Sequence, residues 1–351
     1  MSIRVLVVDD SALIREVLSS TLVKDGDIEV VGVAEDPIIA RAKIKELDPD
    51  VITLDIEMPN MNGLEFLSKL MRLRPTPVVM VSTLTHKGAS ETMLALELGA
   101  VDFVGKPGHD LAGGMEKFGN DIRQKVRLAA QSDVKGQAMR NKAASSSFVA
   151  NSAAGVDKGS LIAIGASTGG VDAVRNVISR LPLDSPPVVV AQHMPESFTA
   201  RFAERLDQQV GLKVVEAEDR MPIEAGRVYI AKGGFHLRIE ISSGQVKCRL
   251  SDGELVSGHR PSVDALFSSV AKTIGSKSAG AILTGMGKDG AEGLKLMRDA
   301  GAYTVGQNRD SSLVYGMPRV AKESGAVMEE APVEEIANRL IFGLLQKQTA
   351  A

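Results

Sequence analysis

The chain of 351 residues contains no tryptophan, and Phe, Tyr and Trp together make up 3% of it, so its cores must rest on Val, Ile, Leu, Ala and Met. A single cysteine, Cys248, excludes an intramolecular disulfide and fits a reducing compartment; packing within a strand is its expected role. No charge of one sign dominates. The formal net charge of −3 removes the bulk electrostatic case for binding nucleic acid or a membrane surface. The opening Met1-Ser-Ile-Arg-Val lacks a basic segment followed by an apolar core, and the apolar run 5–8 is too short to span a bilayer. A cytoplasmic location without membrane insertion is expected. No internal repeat relates the two halves.

What remains is an ordinary globular composition, 44% hydrophobic and 24% charged, with a length that suggests about two domains. Short apolar runs at 3–8, 30–33, 51–54, 78–81 and 101–104 read as buried strands. Helical patterns lie between and after them, near 12–23, 38–47, 63–72, 89–98 and 115–128. Such βα alternation predicts an α/β domain with a parallel, doubly wound sheet over 1–125. A polar segment follows, Ser- and Ala-rich from about 131, and 126–158 is read as a linker. Strands at 161–164, 188–191, 228–230, 279–283 and 303–305 predict a second doubly wound domain over 159–348. The segments 237–241 and 246–250 flank Ser242-Ser-Gly-Gln245 and read as a β-hairpin excursion.

In an open parallel sheet, ligands bind beyond the carboxyl ends of the strands. Asp9 and Asp10 end the first strand and Asp55 the third. Three carboxylates at one edge repel unless a cation sits among them, and oxygen ligands of this type suit Mg²⁺. Ser82 ends the fourth strand and Lys106-Pro107 follows the fifth; a hydroxyl and an ammonium there can hold the oxygens of a phosphoryl group. The plain alternative is acidic capping, with Asp10 as the N-cap of the first helix. The set, at the ends of four of the five strands, disfavours it.

In the second domain, Leu161-Ile-Ala-Ile-Gly-Ala-Ser-Thr-Gly-Gly170 reads as strand, sharp turn and helix start, with Ser167 at the turn. Gly165-Ala-Ser-Thr-Gly169 fits the nucleophile pattern G-x-S-x-G. His193 ends the next strand and so falls on the same sheet edge as a candidate base. Asp289, in Thr284-Gly-Met-Gly-Lys-Asp-Gly290, is a candidate to orient it. Periodicity does not separate Asp289 from Asp264, and a helix cap before Ala291 is the plain alternative for Asp289. The order Ser, His, Asp is not that of α/β-hydrolases, so the G-x-S-x-G match does not imply their fold. A dinucleotide site at the same glycines is disfavoured: the text is not G-x-G-x-x-G, and the following strand ends in Gln192-His193 with no acid for a ribose.

These residues carry two resemblances. Asp9-Asp10, Asp55 with Met58-Pro59 and Gly63, Ser82 and Lys106-Pro107 make the first part similar to response-regulator receiver domains, of flavodoxin-like fold. The resemblance implies phosphorylation at Asp55 by a histidine kinase. It also implies Mg²⁺ held by Asp10, Asp55 and the backbone carbonyl of Glu57 with Asp9 nearby, and switch residues Ser82, Phe103 and Lys106. Ile164-Gly-Ala-Ser-Thr-Gly-Gly170, Gln192-His-Met-Pro195, His259-Arg-Pro-Ser-Val-Asp264, Leu283-Thr-Gly-Met-Gly-Lys-Asp-Gly290 and Val314-Tyr-Gly-Met-Pro318 resemble chemotaxis protein-glutamate methylesterases. That resemblance implies Ser167 as nucleophile, His193 as base, Asp289 as its orienter and the Met286 N–H in the oxyanion hole. It implies methylated chemoreceptors as substrates, glutamine deamidation as a second activity, and no cofactor for ester hydrolysis. Lys232, where the family has Pro, and Asn308, where it has Asp, depart from the pattern. Two further classes stay open: a receiver joined to a binding module with an inactive serine, and a receiver-driven DNA regulator, which the near-neutral charge disfavours.

Overall fold

A computed structural model describes residues 2–58, 61–82, 86–106, 111–136 and 152–349. The chain divides into two compact units, Met1–Ala143 and Ala144–Ala351. The division falls inside the segment read as linker, most of whose centre, with Pro59 and Pro107, lies outside the described residues.

The first unit alternates β1 (Ile3–Val8), α1 (Ala12–Leu22), β2 (Ile28–Ala34), α2 (Pro37–Leu47), β3 (Val51–Asp55), α3 (Gly63–Leu73), β4 (Val78–Ser82), α4 (His86–Glu97), β5 (Asp102–Gly105) and α5 (Leu111–Ala130). The sheet order is β2-β1-β3-β4-β5, and every pairing is parallel. Helices cover both faces of such a sheet, which is why β3 and β4 are buried at every position and read as unbroken apolar runs. Helix starts follow local chemistry. Asp36 caps α2 with Pro37 in its first turn, and Asn62 caps α3. Ser11, not Asp10, caps α1, through the Ile14 N–H.

The second unit comprises β6 (Leu161–Ala166), α6 (Gly170–Ile178), β7 (Val188–Gln192), α7 (Glu196–Gln209), β8 (Lys213–Glu216), β9 (Arg227–Ile230), β10 (His236–Ser242), β11 (Gln245–Ser251), α8 (Val263–Thr273), β12 (Ser278–Ile282), α9 (Ala291–Asp299), β13 (Tyr303–Gln307), α10 (Met317–Glu323), β14 (Glu329–Ala331) and α11 (Val333–Thr349). Its parallel sheet runs β14-β13-β12-β6-β7-β9-β8. The edge strands β8 and β14 were not expected from the sequence: they have four and three residues and carry Lys213, Glu216, Glu329 and Glu330, so neither shows an apolar run.

β10 and β11 form the antiparallel hairpin, closed by Ser243 and Gly244 at φ 52° and 76°. Left-handed conformation at both positions gives the turn a twist that matches the strands. The hairpin docks on α8 through buried Leu237, Ile239 and Cys248, and Ile239 N–H donates to Ser269 Oγ at 3.0 Å.

Strand order reverses between β1 and β3 in the first sheet and between β6 and β12 in the second. At such points the loops leave to opposite faces and open a crevice beyond the strand ends. Asp9, Asp10 and Asp55 lie at the first reversal. Ser167 and Thr284 lie at the second.

Candidate active site

Ser167 follows β6 directly, half-buried, with its backbone held from both neighbouring strands. Its N–H donates to Thr284 O at 3.0 Å, and its carbonyl accepts from Gly170 N–H at 2.7 Å and Gln192 Nε2 at 2.9 Å. The left-handed residue of the turn is Gly169, at φ 77°, and Ser167 is not among the non-glycine residues with positive φ. The turn therefore differs from the nucleophile elbow, in which the serine itself is strained. Space explains the other small residues. A Cβ on Gly170 would lie 2.0 Å from Gln192 Oε1, and one on Gly285 would lie 2.7 Å from the Ser167 Cβ and 2.4 Å from Met317 Sδ.

His193 follows β7, its N–H donating to Ala166 O at 3.1 Å. Nε2 of its ring lies 2.7 Å from Asp289 Oδ2. Nδ1 is buried and has no hydrogen-bond partner among the described residues. The structure thus joins His193 to Asp289, but no Ser167–His193 hydrogen bond is formed. Such bonds are often long before substrate arrives.

Asp289 is fully buried and does not cap α9, whose N-cap is Gly290. It sits instead at the start of α8, taking the N–H groups of Val263 (2.7 Å) and Asp264 (3.0 Å) and the Ser262 hydroxyl (2.8 Å). Burial pushes its carboxyl up. The bond and charge of His193 and those backbone N–H groups outweigh it and hold the group at about 2. Asp264 has a different task. It accepts from Gly293 N–H and Ser257 Oγ, and burial raises its carboxyl to about 6.

His259 received no role from the sequence. Its ring stacks on that of His193, centroids 3.8 Å apart and planes within 6°, while its Nδ1 lies 2.8 Å from Ser257 O. Burial and then the neighbouring His193 lower its pKa, and because a carbonyl only accepts, Nδ1–H donates to Ser257 O. Only its inclusion in the motif His259-Arg-Pro hinted at importance. Ligand atoms of His193, His259 and Asp289 lie within 4.8 Å of one another. The group does not fit a metal ion: both Asp289 oxygens already accept hydrogen bonds, and stacked rings aim their lone pairs in parallel rather than at one point.

Met286 belongs to a loop clamped by the segment before α10. Gly285 N–H donates to Val314 O at 3.0 Å, and its carbonyl accepts from Met317 N–H at 2.8 Å. A Cβ on Gly316 would meet the Met286 Cα at 3.1 Å. The two departures from the family pattern leave this frame intact. Asn308 Oδ1 accepts from Ser311 N–H and Oγ, as a carboxylate would, and Lys232 Nζ lies 3.6 Å from Glu196 Oε1.

In the first unit, carboxylate oxygens of Asp9, Asp10 and Asp55 lie within 4.8 Å of one another. Lys106 Nζ bridges Asp9 (2.9 Å) and Asp55 (2.7 Å). Asp55 also takes the Ile56 N–H at 2.8 Å. Burial raises its carboxyl to about 6, against the pull of Lys106. Ser82 is buried at the end of β4, its carbonyl accepting from Lys106 N–H at 2.8 Å. Phe103 is buried on β5 with Lys125 Nζ 4.8 Å over its ring. Glu57 is exposed just beyond β3.

The family model for CheB methylesterase matches residues 162–340, and that for the response regulator receiver domain matches residues 5–112. A protein-glutamate methylesterase/protein-glutamine glutaminase of Caulobacter vibrioides is 54% identical, over 97% of each chain. One from Saccharophagus degradans is 50% identical, over 97% of this chain and 98% of its own. The chain belongs to the CheB methylesterase family. Among solved structures, the CheB methylesterase catalytic domain of Thermotoga maritima matches 53% of this chain and 99% of its own, at 37% identity and a TM-score of 0.52. The family's two-domain layout, a receiver followed by a methylesterase domain, accounts for both parallel sheets. No helix among the described residues is long and apolar enough to cross a membrane.

Proposed function

We propose that the chain is a serine hydrolase that cleaves γ-glutamyl methyl esters on chemoreceptor helices, and deamidates glutamines there, under control of its receiver. The observation that carries the chemistry is the His193 ring, with Nε2 committed to Asp289 and Nδ1 buried and unpartnered beside the Ser167 turn. Asp289, ionised throughout the working range, fixes the proton on Nε2 and leaves Nδ1 as the base. Ser167 Oγ attacks the ester carbonyl as Nδ1 takes its proton. The tetrahedral oxygen is held by backbone donors of the Met286 loop, where each donor in comparable enzymes contributes about 3–4 kcal/mol. Nδ1–H returns the proton to the departing methoxide, and methanol leaves. Water, activated by the same nitrogen, then hydrolyses the acyl-enzyme. With glutamine the leaving group is ammonia.

Asp55 is the proposed phosphoryl acceptor and a histidine kinase the donor. Mg²⁺ would be held by Asp10, Asp55 and the Glu57 carbonyl with Asp9 nearby, a hard oxygen set suited to it. When bound it neutralises charge on the incoming phosphoryl group. Lys106 holds the acceptor and Asp9 in place through its two ion pairs, and Ser82 stands one strand away to meet the phosphoryl oxygens. A chemoreceptor substrate and a histidine-kinase phosphodonor fit an activity in the cytoplasm.

The test is methanol release from methylated receptor membranes, with and without a small-molecule phosphodonor. Release should rise with phosphodonor in the wild type, stay basal in Asp55→Asn and vanish in Ser167→Ala. Undiminished release by Ser167→Ala would leave the chain a receiver joined to a binding module.

A further inference from the structure

On the side of the Met286 loop away from His193, at the ends of β13 and β14, lies a polar groove of about 640 Å³. It adjoins the site directly: Tyr315, in its wall, bridges to Gly285, which in turn packs on Ser167. Most of its charges are already matched. Arg319 pairs with Glu323, Lys322 with Glu330, and the Tyr315 hydroxyl donates to the same Glu330. Arg309 is different. It is exposed at the tip of the turn that Asn308 closes, and its guanidinium lies 5.0 Å over the Tyr315 ring. Among the described residues it has no carboxylate partner. Asp310, next along the turn, has no contact that holds it in the groove.

A guanidinium held on an aromatic face keeps its planar edge available for a carboxylate. The sheet sets the lateral offset between the two strand ends. Ser167 follows β6 directly and Arg309 lies just beyond β13, two strands away through β12. Two strand spacings amount to about 10 Å. Seven residues of an α-helix rise about 10.5 Å and return to the same face.

We propose that Arg309 binds an acidic side chain on the substrate helix seven residues from the esterified glutamate. A helix laid across the carboxyl edge of the sheet then presents the ester to Ser167 and a carboxylate to Arg309 together. This makes Arg309 a specificity-determining residue, and the inference rests on the methylesterase reading above.

The test uses the full-length protein, treated with phosphodonor, and coiled-coil peptides with one γ-glutamyl methyl ester. One peptide carries Glu seven residues away on both sides, the other Lys. Wild type should show a KM about fivefold lower for the Glu peptide, the scale of an exposed ion pair, and salt should erase the difference. Arg309→Glu should reverse the preference, acting on KM rather than kcat. Equal KM for the two peptides in wild type, or a preference that Arg309→Glu leaves intact, would overturn the inference. Methanol release that survives Ser167→Ala would instead overturn the esterase reading.

Discussion

Asp289 meets His193 at Nε2, 2.7 Å from its Oδ2, and not at Nδ1. The ring is thereby turned so that Nδ1 is the nitrogen left without a partner among the described residues. Asp289 is itself fixed by the start of α8, which supplies two N–H groups and the Ser262 hydroxyl. An acid held this way stays charged and does not rotate.

The first prediction concerns the tautomer. Nitrogen-15 NMR of labelled histidine should show the neutral His193 ring carrying its proton at Nε2 and bare at Nδ1. Ser167→Ala and His193→Ala should each nearly abolish ester hydrolysis, and the double variant should be no worse than either. Asp289→Asn should lose activity but retain more than either single variant. A bare Nε2 would contradict the proton placement.

The His259 stack gives the second. Removing the ring in His259→Ala frees His193 to tilt, and misplacement of a catalytic group costs up to about 10²-fold in rate. We expect kcat to fall about tenfold or more with KM little changed. His259→Phe, which restores a flat ring, should recover most of that loss. Equal damage from Ala and Phe would show that the imidazole, not the stacked face, is what matters.

Crowding at Gly285 gives the third. Its missing Cβ would fall 2.7 Å from the Ser167 Cβ and 2.4 Å from Met317 Sδ. Gly285→Ala must therefore displace the serine turn or the start of α10. Overpacking of this kind costs about 1–3 kcal/mol, which thermal unfolding would register, and kcat should fall in step.

Receiver chemistry gives the fourth. The Asp55 carboxyl is raised to about 6, chiefly by burial, and as the proposed acceptor it would attack phosphorus only when ionised. Labelling by phosphodonor at low Mg²⁺ should therefore decline as pH falls through about 6. Excess Mg²⁺ favours the carboxylate and should move the midpoint down. Lys106→Met removes the cation that opposes burial and should move the midpoint up. A midpoint that ignores both changes would show that another group controls labelling.

How much was legible in the sequence varies with the range of the interaction. The two parallel sheets could be read because strands buried on both faces must be continuous apolar runs, as in β3 and β4. The carboxyl-end positions of Asp9, Asp55, Ser167 and His193 followed, since βα order alone sends every strand end to one edge. The short edges β8 and β14 escaped because exposed edge strands need no apolar pattern. Two plain capping alternatives fall to the structure: Ser11 rather than Asp10 caps α1, and Asp289 serves α8, not the adjacent α9.

Chain order by itself determined the architecture and the residues that gather at each sheet edge. Tertiary structure alone decided which of them touch. Asp289 and Asp264 are indistinguishable by periodicity, yet one lies on His193 and the other on Ser257 and Gly293, because α8 starts against the loop after β12. The same packing stacks His259 on His193 and leaves Nδ1 as the open nitrogen. Contacts of this kind join segments far apart in the chain, and their geometry comes from how helices and loops close over the sheet, which no local pattern encodes.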